Sequence, residues 1–412
     1  MIIRSELDLA DLIRDLGGIL WLVGGAIRDE LLGKTCSDRD YLITGLAIED
    51  VPFNKIAGKE FPVFIVDIGG IKCEVALARK ERKVGEGYKG FTFYTDKSVT
   101  VEEDLYRRDI TINAIAKNIL TGELVDPFNG IHDIANKCIR YTSPAFAEDP
   151  LRILRVARFA AKLEDFTISY DTIALMISMR EELFTIKPER IWQELEKVLA
   201  CDKPSKFFDT LYESGALFII FPEIAELDVP DMHDGTAYRH TMKVLDCGEN
   251  KLERFGLLVH DFGKALTPCE YHPKHHKHDK LGEIPIRAMC KRLHVPNKYK
   301  NFGILCSLNH MKAKRAYNMR PGKFVKWVLS LNFYFWMVMH VSFIDSAYRE
   351  GADIDGERRY YDLIKERAES VFLAEETITG DMLLSKGVVP GKLFGERLLQ
   401  DRIQEFIRLE SL

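Results

Sequence analysis

The stretch LVGGAIRDELLG (Leu22–Gly33), followed three residues later by SDRDYLITG (Ser37–Gly45), decides the fold of this 412-residue chain. An apolar run ends in two glycines, and a helical pattern starts on them with an arginine three residues in. Gly24 and Gly25 let backbone approach a ligand closely, so phosphate oxygens can meet exposed N–H groups at the helix N-terminus while Arg28 supplies a charged fork. A plain glycine turn reads the same way, and the next segment separates the two. In it Asp38 and Asp40 stand one residue apart at the start of a strand, where alternation sends both carboxylates to one face. Two acids on one face repel unless a cation lies between them, which suits a pair of Mg²⁺ ions about 4 Å apart. Such ions activate a ribose 3′-hydroxyl and neutralise a triphosphate during in-line transfer.

A third carboxylate would complete that shell, and Glu74 in KCEVALAR (72–79) is the best placed; an exposed strand Glu is the plainer alternative. Further on, DLYRRDITIN (104–113) gathers acids, arginines and an amide. Arg108 suits a triphosphate, and Asp109 and Asn113 suit ribose hydroxyls. A salt-bridged structural turn would look similar.

Outward from these motifs, residues 19–120 alternate short β-rich runs with Gly-punctuated turns, whereas segments after Pro144 carry apolar residues at helical spacing. The expected class is α+β, an α/β head followed by helical modules. Soft seams fall at Arg140–Ser143 and in the Pro-, Gly- and Asp-rich stretch Asp228–Thr236. The start reads as an amphipathic helix rather than a leader, and the eight cysteines show no CxxC pair or framework spacing, so a reduced cytoplasm is expected. The longest apolar run, Trp327–Ile344, is interrupted by Ser330, Asn332, His340 and Ser342. A membrane span needs about 20 nearly uninterrupted apolar residues, so a buried helix and no membrane partner are expected. The formal charge is −5, yet Ile284–Ile344 holds no Asp or Glu and many cations, among them Lys291, Lys298, Lys300, Lys312, Arg315, Arg320 and Lys323. That block faces phosphates or is merely solvated.

Together LVGGAIRDELLG, SDRDYLITG and DLYRRDITINAIA closely resemble the class II CCA-adding tRNA nucleotidyltransferases and their bacterial poly(A) polymerase relatives. The resemblance extends to DPFNG (126–130), PAFAEDPLRILRVARF (144–159) and PERIW (188–192), and more loosely to HDFGKALTP. It implies a polymerase β-like palm as head over 1–140, a helical neck with nucleotide selection over 141–230, an HD-like helical domain over 231–345 and a tail over 346–412. It implies tRNA as partner, CTP and ATP as substrates, Mg²⁺ in the head and no obligate protein partner. Nucleotide selection falls to Asp149 and Arg152: a carboxylate accepts from the exocyclic amine of C or A and repels the carbonyl of U or G. Arg155 and Arg158 follow down the helix and match triphosphate contacts. A flexible loop needed for the switch from C to A addition corresponds to ARKERKVGEGYKGF (78–91), matched by Arg79 and Glu81. Full CCA addition is expected; an A-adding specialist or a poly(A) polymerase is the alternative. Bacterial poly(A) polymerases usually carry basic tails and lack the HD signature, whereas this tail is mixed in charge.

His240 with His260-Asp261 resembles a metal-dependent HD phosphohydrolase signature, and YHPKHHKHD (271–279) adds imidazoles suited to Ni²⁺ or another divalent ion. The later His-Asp pair of that signature reads here as His310-Met311. Methionine is a poor ligand for a hard ion, so a weakened second site, drifting toward RNA binding, is expected. From Asp345 onward no motif is assigned.

Overall fold

The apolar run ahead of the two glycines becomes β1 (Ile19–Val23), an interior strand of the head sheet. The computed structural model describes all residues except 1–2, 36–38, 54, 58–62, 84–90, 392 and 412, with backbone alone at 55–57, 81–83 and 91–94. After β1 come β2 (Asp40–Thr44), β3 (Lys55–Ala57), β4 (Val63–Ile68) and β5 (Ile71–Leu77), then the separate hairpin β6 (Lys80–Lys83) and β7 (Phe91–Tyr94), and β8 (Ala116–Asn118) and β9 (Leu124–Val125). Sheet order is β3-β4-β5-β2-β1-β8-β9, with β2 and β5 parallel and every other neighbour antiparallel. Nearly all of β1 and β2 is buried, as continuous apolar strands should be when both faces are covered. The helix Glu6–Asp15, capped reciprocally by Ser5 and Asp8, lies against β1. Trp21, Val23 and Leu42 pack with Val101 and Leu105 of the helix Val101–Tyr106.

Beyond the sheet the chain is almost wholly helical, apart from the short parallel pair β10 (Cys138–Ile139) and β11 (Thr167–Ile168). The class is α+β. The chain folds into two compact units, Met1–Glu194 with Cys201–Ile220, and Leu195–Ala200 with Phe221–Leu412. In the first, the helix Leu151–Lys162 packs along Ser205–Glu213. In the second, the long apolar run resolves into two helices, Pro321–Leu331 and Phe335–Ala347, broken where Asn332 takes φ 50°. The combined span is long and apolar enough to cross a membrane, but its most apolar window is 56% buried inside the protein. Phe324, Trp327 and Phe335 join one core with Ile364, Ala368, Ile403 and Phe406 of the last long helices. Burial of that apolar surface is what fixes the C-terminal helices in place.

DPFNG has a structural task in the first unit. Asp126 accepts from the N–H groups of Gly130 and Ile131 at 2.7 and 2.9 Å, capping the short helix Gly130–Ala135. A Cβ on Gly130 would come within 2.3 Å of the Thr111 carbonyl oxygen. The same helix supplies Asp133, whose Oδ2 accepts from the Thr111 hydroxyl at 2.6 Å. The turn Thr111–Asn113 is thereby clamped. Gly130→Ala should destabilise the first unit by about 1–3 kcal/mol through overpacking; an unchanged urea-unfolding midpoint would contradict this packing.

Candidate functional site

Strand register assembles the head site. Val23, the last residue before Gly24, pairs with Asp40, and Asp40 pairs in turn with Glu74. Directly opposed residues share a face of the sheet. Two exposed carboxylates, Asp40 and Glu74, therefore stand side by side at the end of β1 where the glycines begin. Asp38 lies outside the described residues. Gly24 takes φ 75°, which L side chains rarely adopt, and a Cβ there would sit 3.1 Å from Arg108 Nη1. The glycine thus lets a guanidinium lie against the strand end.

Arg108 is held by Asp104, whose Oδ2 accepts from Arg108 Nε and Nη2 at 3.3 and 3.1 Å while Oδ1 accepts from Arg107 at 3.0 and 2.6 Å. Asp104 is fully buried. Burial pushes its carboxyl pKa up, but Arg107 and Arg108 outweigh that and hold it below the usual carboxylate range. The Arg79 N–H also donates to Asp104 Oδ1, at 3.3 Å, which ties down the start of the Arg79–Glu81 segment. Of that segment, the Glu81 side chain lies outside the described residues.

The fork expected of Arg28 is turned inward. Its Nε and Nη2 donate to Asp29 at 2.9 and 2.7 Å, its Nη1 donates to Asn113 Oδ1 at 2.7 Å, and the residue is 1% exposed. Arg28 therefore orients Asn113 and lies beside Gly25, while Arg108 is the guanidinium beside Gly24. Asp109 accepts from Arg155 at 2.7 Å. Burial again pushes upward, but Arg155 and Arg152 bring the Asp109 carboxyl to about 2. Arg158 donates to Glu194 at 2.6 Å.

Asp149 and Arg152 are also fixed in place. Arg152 Nη1 donates to the Ala145 carbonyl and Nη2 to the Arg107 carbonyl, the latter at 2.6 Å. Asp149 Oδ1 accepts from the Leu151 N–H at 3.0 Å, and its Oδ2 accepts from Arg190 at 3.0 Å. A cavity of about 450 Å³ opens here, lined by Tyr106, Arg107, Phe128, Ala145 and Glu148 among others.

The second unit holds a buried histidine–aspartate cluster. Ligand atoms of His240, His260, Asp261 and Asp345 lie within 4.8 Å of one another, as do those of Asp261, His278 and His310. Imidazole orientation follows from the partners. Nδ1 of His260, His278 and His310 meets the carbonyls of Leu257, His275 and Ser307 at 2.7, 2.6 and 2.8 Å, and a carbonyl only accepts. His240 Nδ1 faces Asp234 at 2.8 Å. All four Nε2 atoms are left to converge: His240 on Asp345 at 3.0 Å, His260 on Asp261 at 3.2 Å, and His278 on Asp261 at 3.3 Å and on His310 Nε2 at 3.0 Å. Such backing of ligand histidines by carbonyls and carboxylates is how metal sites fix tautomer and aim. Lys264 bonds Asp261 at 2.7 Å and Lys314 bonds Asp345 at 2.8 Å. Burial pushes the His260 pKa down, but Asp261 and Asp345 raise it to about 10; burial takes His310 down to about 3.

This cluster corrects the expectation of a missing acid. The carboxylate that closes the site is Asp345, brought in by the helix Phe335–Ala347. His310 itself faces Asp261 at 3.6 Å.

Known proteins resemble the chain along most of its length. The poly A polymerase head domain family matches residues 20–140, and a segment described as a probable RNA and SrmB-binding site of polymerase A matches residues 165–227. The multifunctional CCA protein of Shewanella frigidimarina is 44% identical over 326 residues, 74% of this chain and 77% of that protein. The chain belongs to the multifunctional CCA protein family. The family's member from Xanthomonas euvesicatoria is 43% identical over 321 residues, 73% of this chain and 77% of that one. The CCA-adding enzyme of Bacillus stearothermophilus, solved in complex with CTP, shares the fold with a TM-score of 0.71, covering 98% of this chain and 93% of its own at 24% identity.

Sequence reading missed Asp104 as the hub of the head, Arg190 as the partner of Asp149, and Asp345 as a member of the second cluster, whereas it names His278 and His310 around that site. PERIW was noticed only as a matching motif, although an arginine on its first turn was the available signal. If the cluster takes a divalent ion, Asp345→Ala should weaken its binding by at least about ten-fold, since losing even an outer-shell partner costs that much. Calorimetric titration checks this, and wild-type affinity in the variant would remove Asp345 from the site.

Proposed function

We propose that the chain builds or repairs the tRNA 3′-CCA end, using CTP and ATP and releasing pyrophosphate, with the head carboxylates as its reaction centre. The observation that carries this is the row Val23–Asp40–Glu74, which sets two carboxylates beside the Gly24–Arg108 contact. Carboxylate oxygens suit a hard ion, so Asp38, Asp40 and Glu74 are the residues that would hold Mg²⁺. When bound, that ion supplies charge neutralisation to the triphosphate and acidifies the primer hydroxyl. Arg108, with Gly25 and its helix N-terminus, binds the triphosphate. Arg28 positions Asn113 at the ribose, Asp109 and Arg155 lock head to neck helix, and Arg158 is steadied by Glu194. Asp149 reads the exocyclic amine of C or A; a carboxylate accepts at more than two positions, so its bonds to Leu151 and Arg190 leave room for it. Arg152 donates beside it. Arg79 and Glu81 serve the switch from C to A.

The layout assigned to these roles is head 1–140, neck 141–230, HD-like domain 231–345 and tail 346–412, and the protein works in the cytoplasm. The second cluster is read as a divalent-metal phosphohydrolase site, for Ni²⁺ or a similar ion. Mixed imidazole and carboxylate donors with anchored Nδ1 atoms fit such an ion, and Asp261 is shared between two possible positions for it.

The test is incorporation of labelled CTP and ATP into tRNA ending at the discriminator base, after one added C and after two. All three should be extended to CCA and stop. Acceptance of A by the CC-ended tRNA alone would make the enzyme an A-adding specialist, and long A tracts a poly(A) polymerase.

A further inference from the structure

The histidine–aspartate cluster opens into a pocket of about 240 Å³. Small-ligand sites usually run to about 300–1,000 Å³, so this one has room for a phosphate and little more of a nucleotide. The pocket does not end there. It shares His275, His276, His278 and Met311 with a trough of about 900 Å³.

The trough's chemistry is one-sided. Six cations line it, Lys277, Lys280, Lys312, Arg315, Arg320 and Lys323, against a single acid, Asp279. Among the described residues no carboxylate pairs with Arg315, Arg320 or Lys323. Among the described residues no Phe, Tyr or Trp lines the trough, so only its imidazoles and guanidinium planes could stack on a base. Lys and Arg grip a phosphate backbone without reading its sequence. The acid-free block of the sequence therefore divides in two: Lys312, Arg315, Arg320 and Lys323 line the trough, whereas Lys291, Lys298 and Lys300 do not.

We infer that this trough holds the backbone phosphates of a single-stranded RNA whose end reaches the histidine–aspartate cluster, so that the second site acts on RNA strand ends in preference to free nucleotides. The inference rests on reading that cluster as a phosphohydrolase. Hydrolysis there breaks a P–O ester bond, with water giving its oxygen to phosphorus and a proton to the departing alkoxide. Met311, at the junction of pocket and trough, is then part of the passage wall.

The test uses the full chain and a short, labelled single-stranded RNA carrying a 3′-phosphate, which also blocks nucleotide addition. Anisotropy is followed with metal chelated, for wild type, for Arg315→Ala with Arg320→Ala and Lys323→Ala, and for Lys291→Ala with Lys298→Ala and Lys300→Ala. The trough variant should bind at least about ten-fold more weakly, and the slope of log affinity against log salt should fall by about 2, since each lost phosphate contact on a single strand removes about 0.7. The other triple variant should stay within about two-fold. Wild-type affinity in the trough variant, or an equal loss in the other, overturns the inference. With Ni²⁺ restored, the ratio of turnover on this RNA to turnover on bis-p-nitrophenyl phosphate should fall in the trough variant; an unchanged ratio also overturns it. Absence of turnover by wild type on both substrates defeats the phosphohydrolase reading separately, and the binding measurement still decides the trough.

Discussion

Asp104 is the charge on which the head depends. Its carboxylate has no access to water, and it survives there ionised because Arg107 and Arg108 both bind it. Removing one member of a buried ion pair typically costs about 3–5 kcal/mol, because the remaining charge is stranded. Each partner then does something further. Arg108 lies against Gly24 at the strand end, the Arg107 carbonyl accepts from Arg152, and the Arg79 N–H ties in the segment that leads to β6. The Gly24 strand end, Arg152 and the start of the β6 segment all refer to one carboxylate.

A similar economy governs the arginines of the helix Leu151–Lys162. From sequence Arg155 and Arg158 read as phosphate ligands and Arg152 as a base donor, yet Arg155 and Arg158 are paired to Asp109 and Glu194 and Arg152 to backbone carbonyls. A guanidinium presents five donors, so an arginine with a structural partner still has capacity for a ligand. Pairing fixes each fork in advance, which lowers the entropy lost when a nucleotide arrives.

How legible this was depended on distance along the chain. The glycine–acid motif is local, and strand alternation with turn chemistry put Gly24 and Asp40 at strand ends; Glu74 was named by its order along the chain, and the register of β2 with β5 sets it beside Asp40. The inward turn of Arg28 was not readable, because its partner Asn113 comes from another turn of the chain held by DPFNG. Asp345 was invisible for a related reason. It stands one residue beyond the acid-free stretch, in a segment without a motif, and only the fold of the helix Phe335–Ala347 carries it to His240 and His260. Looking for the acid beside His310 was the natural error, since sequence shows neighbours and a metal site is built from approach.

In the proposed function, strand register makes Asp40 and Glu74 one cation-binding unit beside the glycines. The most direct test is the Mg²⁺ dependence of single-turnover CMP transfer to tRNA in wild type and in Glu74→Gln, whose side chain keeps its shape and loses its charge. The account predicts that the variant needs at least about ten-fold more Mg²⁺ to reach half its maximal rate, a difference of about 1.4 kcal/mol in ion binding. An identical Mg²⁺ dependence in the two proteins would contradict it.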